Sequence, residues 1–309
     1  MATVCVVLSL VGATSAHLHC HHDDLPSAGP LSPNTYKVAA QQYGPFSRGR
    51  RTSVAWDSAA PIRIEVRTVS LAGIADNAIQ TWLMDTLVAS AVSWLSQALS
   101  VIPVASHLVA DRTCGSSFTL SDGSTLCASE GQPPTCGLDA SGASVPIDDS
   151  LLNELTYCSS STDQSSCTTV AAGEGAANAD FLLFVSSVPT SSCAGSTLAY
   201  ASRCVSDQYD RPVMGYANFC PSSLSTDAAD WDEQYATAVH ELLHALGFSS
   251  SSWPLFRYDD GAPRTPRDEW GLPAEVGTLH TEMGAPITHH LDASPITHHP
   301  SPITHHPSP

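Results

Sequence analysis

The chain has 309 residues, enough for one or two domains with a substantial core. Acidic side chains outnumber basic ones 30 to 12, giving a formal charge of −18 and a pI of about 4.9. That balance argues against nucleic-acid binding, which needs basic patches to displace counterions. A hydrophobic content of 42% fits a folded globular chain.

The first segment reads as a secretory signal. An apolar run from Val4 to Val11 is followed by small residues, with a cleavage point after Ala16, although no Lys or Arg precedes the run. No other stretch approaches the ~20 apolar residues of a membrane span. Residues 17–51 are polar, rich in Pro, Gly and Ser, and end in the basic cluster Arg48-Gly-Arg-Arg51, suited to a processing protease or to an ordinary solvated charge run.

Order is expected from Ile62, where Ile62, Ile64 and Val66 alternate with charged residues in the period of a half-buried strand. From Ile74 to Leu99 an apolar stripe of Ile79, Leu83, Leu87, Ala91, Leu95 and Leu99 predicts a long amphipathic helix. Residues 112–178, rich in Ser, Gly, Thr and Cys, predict disulfide-tied loops. Cys5 falls inside the signal and Cys20 stands alone. The remaining Cys114, Cys127, Cys136, Cys158, Cys167, Cys193, Cys204 and Cys220 suit disulfides of an exported protein, in pairings that sequence cannot choose. Phe181 to Val185 reads as a strand buried on both faces, and a shorter strand around Val213 to Phe219 offers an edge to an extended peptide.

A further helix is predicted to start near Asp230, with Asp230 and Glu233 at capping-box spacing, and to end at Gly247. The chain closes with Pro-Ile-Thr-His-His repeated after Ala285, Ser294 and Ser301. Proline at that density predicts a disordered low-complexity tail over 285–309, whose paired histidines could bind metal loosely.

The strongest chemical signal is His240-Glu-Leu-Leu-His244. Histidines at i and i+4 lie one above the other on a helix, so both imidazoles can reach one ion. Glu241 projects about 100° round from His240, within reach of a water activated by that ion. Its role is general base, which makes the pattern that of a zinc peptidase. A catalytic zinc needs three protein ligands. The metzincin pattern places Gly three residues after the second histidine and another histidine three further on. Gly247 is in place, but position 250 is a serine.

With its surroundings, the run His240 to Ser249 resembles the leishmanolysin (M8) metallopeptidases, metzincins with a long insertion between that glycine and the third histidine. The resemblance extends through Ala179-Asp-Phe-Leu-Leu-Phe-Val185, Leu198 to Ser202, Asp210-Arg-Pro212 and Gly215 to Pro221, then Phe256 to Gly261 and Thr265 to Asp268. It implies an α+β fold, a metzincin-like zincin whose twisted sheet carries the active-site helix, with Thr237 to His244 lining the cleft. It implies one Zn2+ ion, protein or peptide substrates and endopeptidase activity. Cys20-His21-His22-Asp23 resembles the family's propeptide motif, which implies that the Cys20 thiolate holds the zymogen inactive.

The resemblance also implies a third histidine far downstream, then a methionine turn. His280 is the single histidine between the motif and the repeats, and is the candidate third ligand. Met283 stands too close to it for the family's interval. The resulting expectation is a signal at 1–16, a propeptide at 17–51, a catalytic domain at 52–284 with an incomplete C-terminal subdomain, and the tail at 285–309. Secretion or display at the cell surface is expected, and membrane association is possible but not encoded here. Two alternatives stay open: an inactive zinc-binding remnant or surface protein lacking the third ligand, and a different zinc-peptidase clan using Glu269 or Glu275.

Overall fold

The computed structural model describes residues 59–258, 261–267 and 273, with backbone pairings at 38–39, 279–280 and 286–287. The expected signal, the Cys20 motif, the basic cluster and the rest of the repeat tail lie outside the described residues. Residues 1–273 form one compact unit and 274–309 another. Within the second, Leu279–His280 pairs antiparallel with Pro286–Ile287.

The first unit is built on a five-stranded mixed sheet. Its strands are β1 (Val38–Ala39), β2 (Ile64–Ser70), β3 (Phe181–Ser186), β4 (Ala199–Asp207) and β5 (Pro212–Phe219), in the order β1-β4-β5-β3-β2. Parallel pairing sets Leu183 of β3 opposite Val66 of β2 and Gly215 of β5. β4 runs antiparallel to β5, with Ala201 opposite Ala217. Helices α1 (Asn77–Trp82), α2 (Ala89–Ala98) and α3 (Trp231–Ala245) complete an α+β architecture.

Every residue of β3 is buried, because both faces of the sheet are covered. Successive side chains on a strand point to opposite faces. Phe181, Leu183 and Val185 accordingly join the helices in one core with Leu83, Leu87, Leu95 and Leu242. Leu182 and Phe184 join the other, where Leu108, Leu151, Leu152 and Ala176 of the intervening segment pack on Met214. Each such side chain, fully buried, contributes on the order of 1.5–3 kcal/mol. This double burial explains an uninterrupted apolar run where a one-sided strand would alternate.

The expected helix over 74–99 begins later and is not uniform. Ile74 is still in a turn, its N–H donating to the Leu71 carbonyl, and Asp76 caps the helix by accepting from the Ala78 N–H. Between α1 and α2, residues Leu83–Val88 are π-helical. The predicted stripe repeats every four residues, longer than the 3.6 of an α-helix, so an unbroken α-helix would carry it off the core. The wider turn resets the phase, and Leu83, Leu87, Ala91 and Leu95 all stay buried.

Residues 112–178, expected as loops, contain three antiparallel hairpins: Cys114–Thr119 with Thr125–Glu130, Thr135–Leu138 with Ser144–Pro146, and Leu155–Cys158 with Cys167–Val170. The eight cysteines among the described residues are all paired, as Cys114–Cys127, Cys136–Cys204, Cys158–Cys167 and Cys193–Cys220. The first and third staple hairpins. Cys136–Cys204 ties the hairpin segment to β4, and Cys193–Cys220 closes the loop after β3 onto the end of β5.

At the opposite end of β3 an ionic clamp joins three segments. Arg63 grips Asp180 with Nε and Nη2, both at 2.8 Å, and the N–H groups of Arg63 and Val104 donate to the same carboxylate. Burial alone would raise the Asp180 pKa, but the Arg63 hydrogen bonds and the two backbone N–H groups outweigh it and hold the carboxyl below its usual range. Asp180→Asn is expected to lower the unfolding free energy at neutral pH by about 2 kcal/mol, since Arg63 stays partly solvated. A depressed folded-state pKa adds stability above the unfolded value and loses it as pH falls. The difference between variant and wild type should therefore shrink once pH falls below the ordinary carboxyl value of about 3.9 and be lost only below the lowered folded value, a narrowing that urea titrations from pH 7 down to pH 2 would measure.

Candidate metal centre

Fifteen residues long, α3 packs on β4 and β5 with Ala238, Leu242 and Ala245 buried beneath it. Its close approach depends on Gly215. A Cβ there would stand 2.9 Å from the Ser202 carbonyl and from the Phe181 ring, and 3.1 Å from the Ala245 Cβ, one residue past His244. The expected capping box does not form, because Asp230 makes no side-chain cap hydrogen bond. A single turn of 3-10 helix precedes α3 instead. Asp227 caps it by accepting from the Ala229 N–H, and the buried Gln234 amide ties α3 to both backbone groups of Ser225.

The predicted end is where Gly247 places it. Gly247 has φ +98, its N–H donates to the His244 carbonyl, and the Phe248 N–H reaches back to the Leu243 carbonyl. These two bonds make a Schellman motif, which requires a residue with positive φ. The turn has a second effect. It delivers the Phe248 carbonyl to His244 Nδ1 at 2.7 Å. A carbonyl oxygen has no proton to give, so Nδ1 carries the proton and the neutral ring keeps Nε2 bare.

That Nε2 faces His240 Nε2 at 2.9 Å, the rings standing edge to face with centroids 4.5 Å apart. Two nitrogens bound tetrahedrally to one zinc stand about 3.3 Å apart, so a small opening of the pair would admit the ion. Glu241 completes the cluster: one ligand atom from each of His240, Glu241 and His244 lies within 4.8 Å of the others. Glu241 is 6% exposed. Burial pushes its pKa up to about 8, against the opposing pull of the Ala201 N–H that donates to it. Its Oε2 is buried without a hydrogen-bond partner. An orphaned carboxylate oxygen beside two convergent imidazoles is costly unless a cation or water belongs there. The donor set fits zinc.

Residue types could not reveal the Ala201 N–H or the Phe248 carbonyl, because both are backbone groups placed by tertiary structure. The strand expected to offer an edge, β5, is interior, lying between β4 and β3. Among the described residues, β4 lies between β5 and β1, which pairs with it at Ser206 and Asp207. The side chains of His280, Glu269 and Glu275 lie outside the described residues, as does Cys20. No helix among the described residues is long and apolar enough to cross a membrane.

Comparison with known proteins gives the same direction. Residues 153–260 match the peptidase M8 family, leishmanolysin. Over 267 residues the chain is 32% identical to a leishmanolysin-like peptidase of Caenorhabditis elegans, covering 84% of this chain and 36% of that protein. A leishmanolysin-like peptidase of Drosophila melanogaster is 37% identical over 188 residues, 59% of this chain and 27% of that protein. A ciliated left-right organizer metallopeptidase of Mus musculus is 41% identical over 87 residues, 28% of this chain and 12% of that protein. The chain spans about a third of the length of the first two relatives.

Proposed function

The chain belongs to the leishmanolysin family, and from that premise we propose that it is a zinc-dependent endopeptidase in which His240 and His244 hold the ion and Glu241 is the general base. The observation that carries this reading is the buried, unpartnered Glu241 Oε2 beside the paired imidazoles. Zinc, when bound, polarises the scissile carbonyl and makes water a nucleophile at neutral pH. Glu241 takes the proton of the attacking water and passes it to the leaving amine. The Ala201 N–H orients the carboxylate for that transfer.

The remaining assignments belong to the same proposal. His280 is the candidate third ligand and Cys20 the zymogen ligand. The divisions at 16 and 284 follow the signal-like apolar run and the start of the repeats, and the division at 51 and a metzincin-like arrangement of the cleft follow the family resemblance. Four disulfides suit an oxidising, extracellular compartment. The competing reading is a zinc-binding remnant or surface protein that lacks the third ligand.

The test is cleavage of an unfolded protein by the full chain after processing at Arg51. We expect cleavage that a zinc chelator abolishes and added zinc restores. A folded chain that binds zinc but cleaves nothing would leave the remnant reading standing and remove the peptidase.

A further inference from the structure

Resting on the reading of His240 and His244 as metal ligands, we propose that Asp210 is a positioning residue for the metal centre, acting through the segment that leaves α3. Asp210 lies in the turn between β4 and β5 with φ +68, a conformation that few residues other than glycine adopt. Such a backbone persists where its surroundings hold it. Here two arginines converge on one oxygen. Arg257 reaches Asp210 Oδ2 with Nη2 at 2.6 Å and Nε at 2.8 Å, and Arg267 reaches it with Nη2 at 2.7 Å. The Asp210 side chain is 8% exposed and the two arginine side chains 19% and 15%, so these pairs are largely shielded from solvent screening.

Both arginines sit on the chain that follows the zinc helix, and that chain is folded tightly on itself. Arg257 bridges to Pro263, the Tyr258 N–H donates to the Ala262 carbonyl, and the Arg264 N–H donates to the Phe256 carbonyl. Arg257 also donates to the carbonyls of Tyr209 and Gly261. Nearer the helix, Arg203 of β4 donates to the buried Ser252 hydroxyl. A Cβ on Gly247 would stand 2.8 Å from Pro212 Cγ. The β4–β5 turn therefore touches the segment at its start, through Pro212, and at its far end, through Asp210.

Between those two grips lies the Phe248 carbonyl that fixes the His244 tautomer. Phe248 is 48% exposed, so its side chain does not anchor its own backbone. The place of that carbonyl is set by the Schellman turn on one side and the clamped segment on the other. Partners that orient a metal-binding imidazole in this way typically change metal affinity about 10–100-fold when lost. The geometry makes Asp210 such a partner at one remove: it holds the segment, the segment holds the carbonyl, and the carbonyl holds the ring.

Asp210→Asn removes the charge and keeps a residue that tolerates positive φ. Two readouts on the full chain would follow it. The first is the His244 tautomer, from long-range nitrogen–proton NMR of histidine-labelled protein without metal, with the resonance assigned by its loss in His244→Gln. The second is zinc affinity at this site, taken as the part of zinc binding that His244→Gln removes, which excludes the histidine pairs of the tail. We expect wild type to hold the Nδ1–H form alone. Asp210→Asn should show both tautomers and bind zinc at least about 10-fold more weakly. Asp180→Asn, which loosens the clamp on Arg63 and Val104 rather than the segment after α3, should change neither. A folded Asp210→Asn protein with wild-type tautomer and affinity overturns the proposal, and so does an equal change in Asp180→Asn. Should Asp210→Asn not fold, Arg257→Gln is judged by the same criteria. If wild type shows no His244-dependent zinc binding, the metal reading fails, while the tautomer still decides the role of Asp210.

Discussion

Glu241→Gln is expected to cut peptide hydrolysis by about 10²–10⁴-fold while leaving zinc content and fold intact. The substitution is nearly isosteric, and its amide oxygen can still accept from the Ala201 N–H that now orients the carboxylate. What it loses is the ability to take a proton. The variant should also be at least as stable as wild type, because a carboxylate that is 6% exposed, with one oxygen lacking a partner, pays for desolvation in the fold. Stability retained or raised while activity collapses is the mark of a residue kept for chemistry. The pair of measurements is a thermal melt and a steady-state cleavage assay on the same zinc-loaded preparation. Cleavage at wild-type rate would remove Glu241 from the reaction. A large drop in melting temperature would show that the carboxylate is a structural group and that its lost activity reports unfolding.

Local patterns were readable where one kind of interaction dominated. Phe181 to Val185 is legible as a doubly buried strand because five successive apolar residues suit a strand covered on both faces, and all of them are buried. Gly247 marked the end of α3 because a Schellman turn needs a positive φ. The histidine spacing by itself places both imidazoles on one side of a helix. The readings that failed had competitors elsewhere in the chain. Asp230 and Glu233 had the spacing of a capping box, but Asp227 and Gln234 secure the start of α3 through the preceding turn. The strand ending at Phe219 looked like an edge because sequence order does not give spatial order: β4 folds back antiparallel and covers it. The four-residue stripe in 79–99 carries the π-helical turn as a departure from the α-helical period, one that an amphipathic pattern alone does not separate from a regular α-helix. The oxygen that fixes His244 and the N–H that orients Glu241 belong to Phe248 and Ala201. Neither side chain makes the contact, so neither residue type announces it.

Joint replacement of Cys136 and Cys204 by alanine is expected to lower the unfolding free energy by about 4 kcal/mol, as the loop-entropy relation gives for the 68 residues between them. The same relation gives about 2.5 kcal/mol for Cys158–Cys167, which closes only nine. The larger loss falls where the architecture depends on it. Cys136 sits in the Thr135–Leu138 strand, and Cys204 on β4, three residues from the Ala201 N–H that meets Glu241. The bridge therefore fixes β4 from the face opposite α3. Ser186 adds a second, non-covalent tie, its hydroxyl donating to the Leu138 carbonyl and accepting from the Leu138 N–H. Because this tie and the packing of Leu108, Leu151 and Leu152 survive the substitution, the variant should fold, with a native melt at lower temperature rather than a collapsed state. Urea unfolding of both double variants would decide the matter. Losses ordered by loop length support a bridge that acts by restricting the unfolded chain, whereas equal losses would assign its effect to contacts in the folded protein.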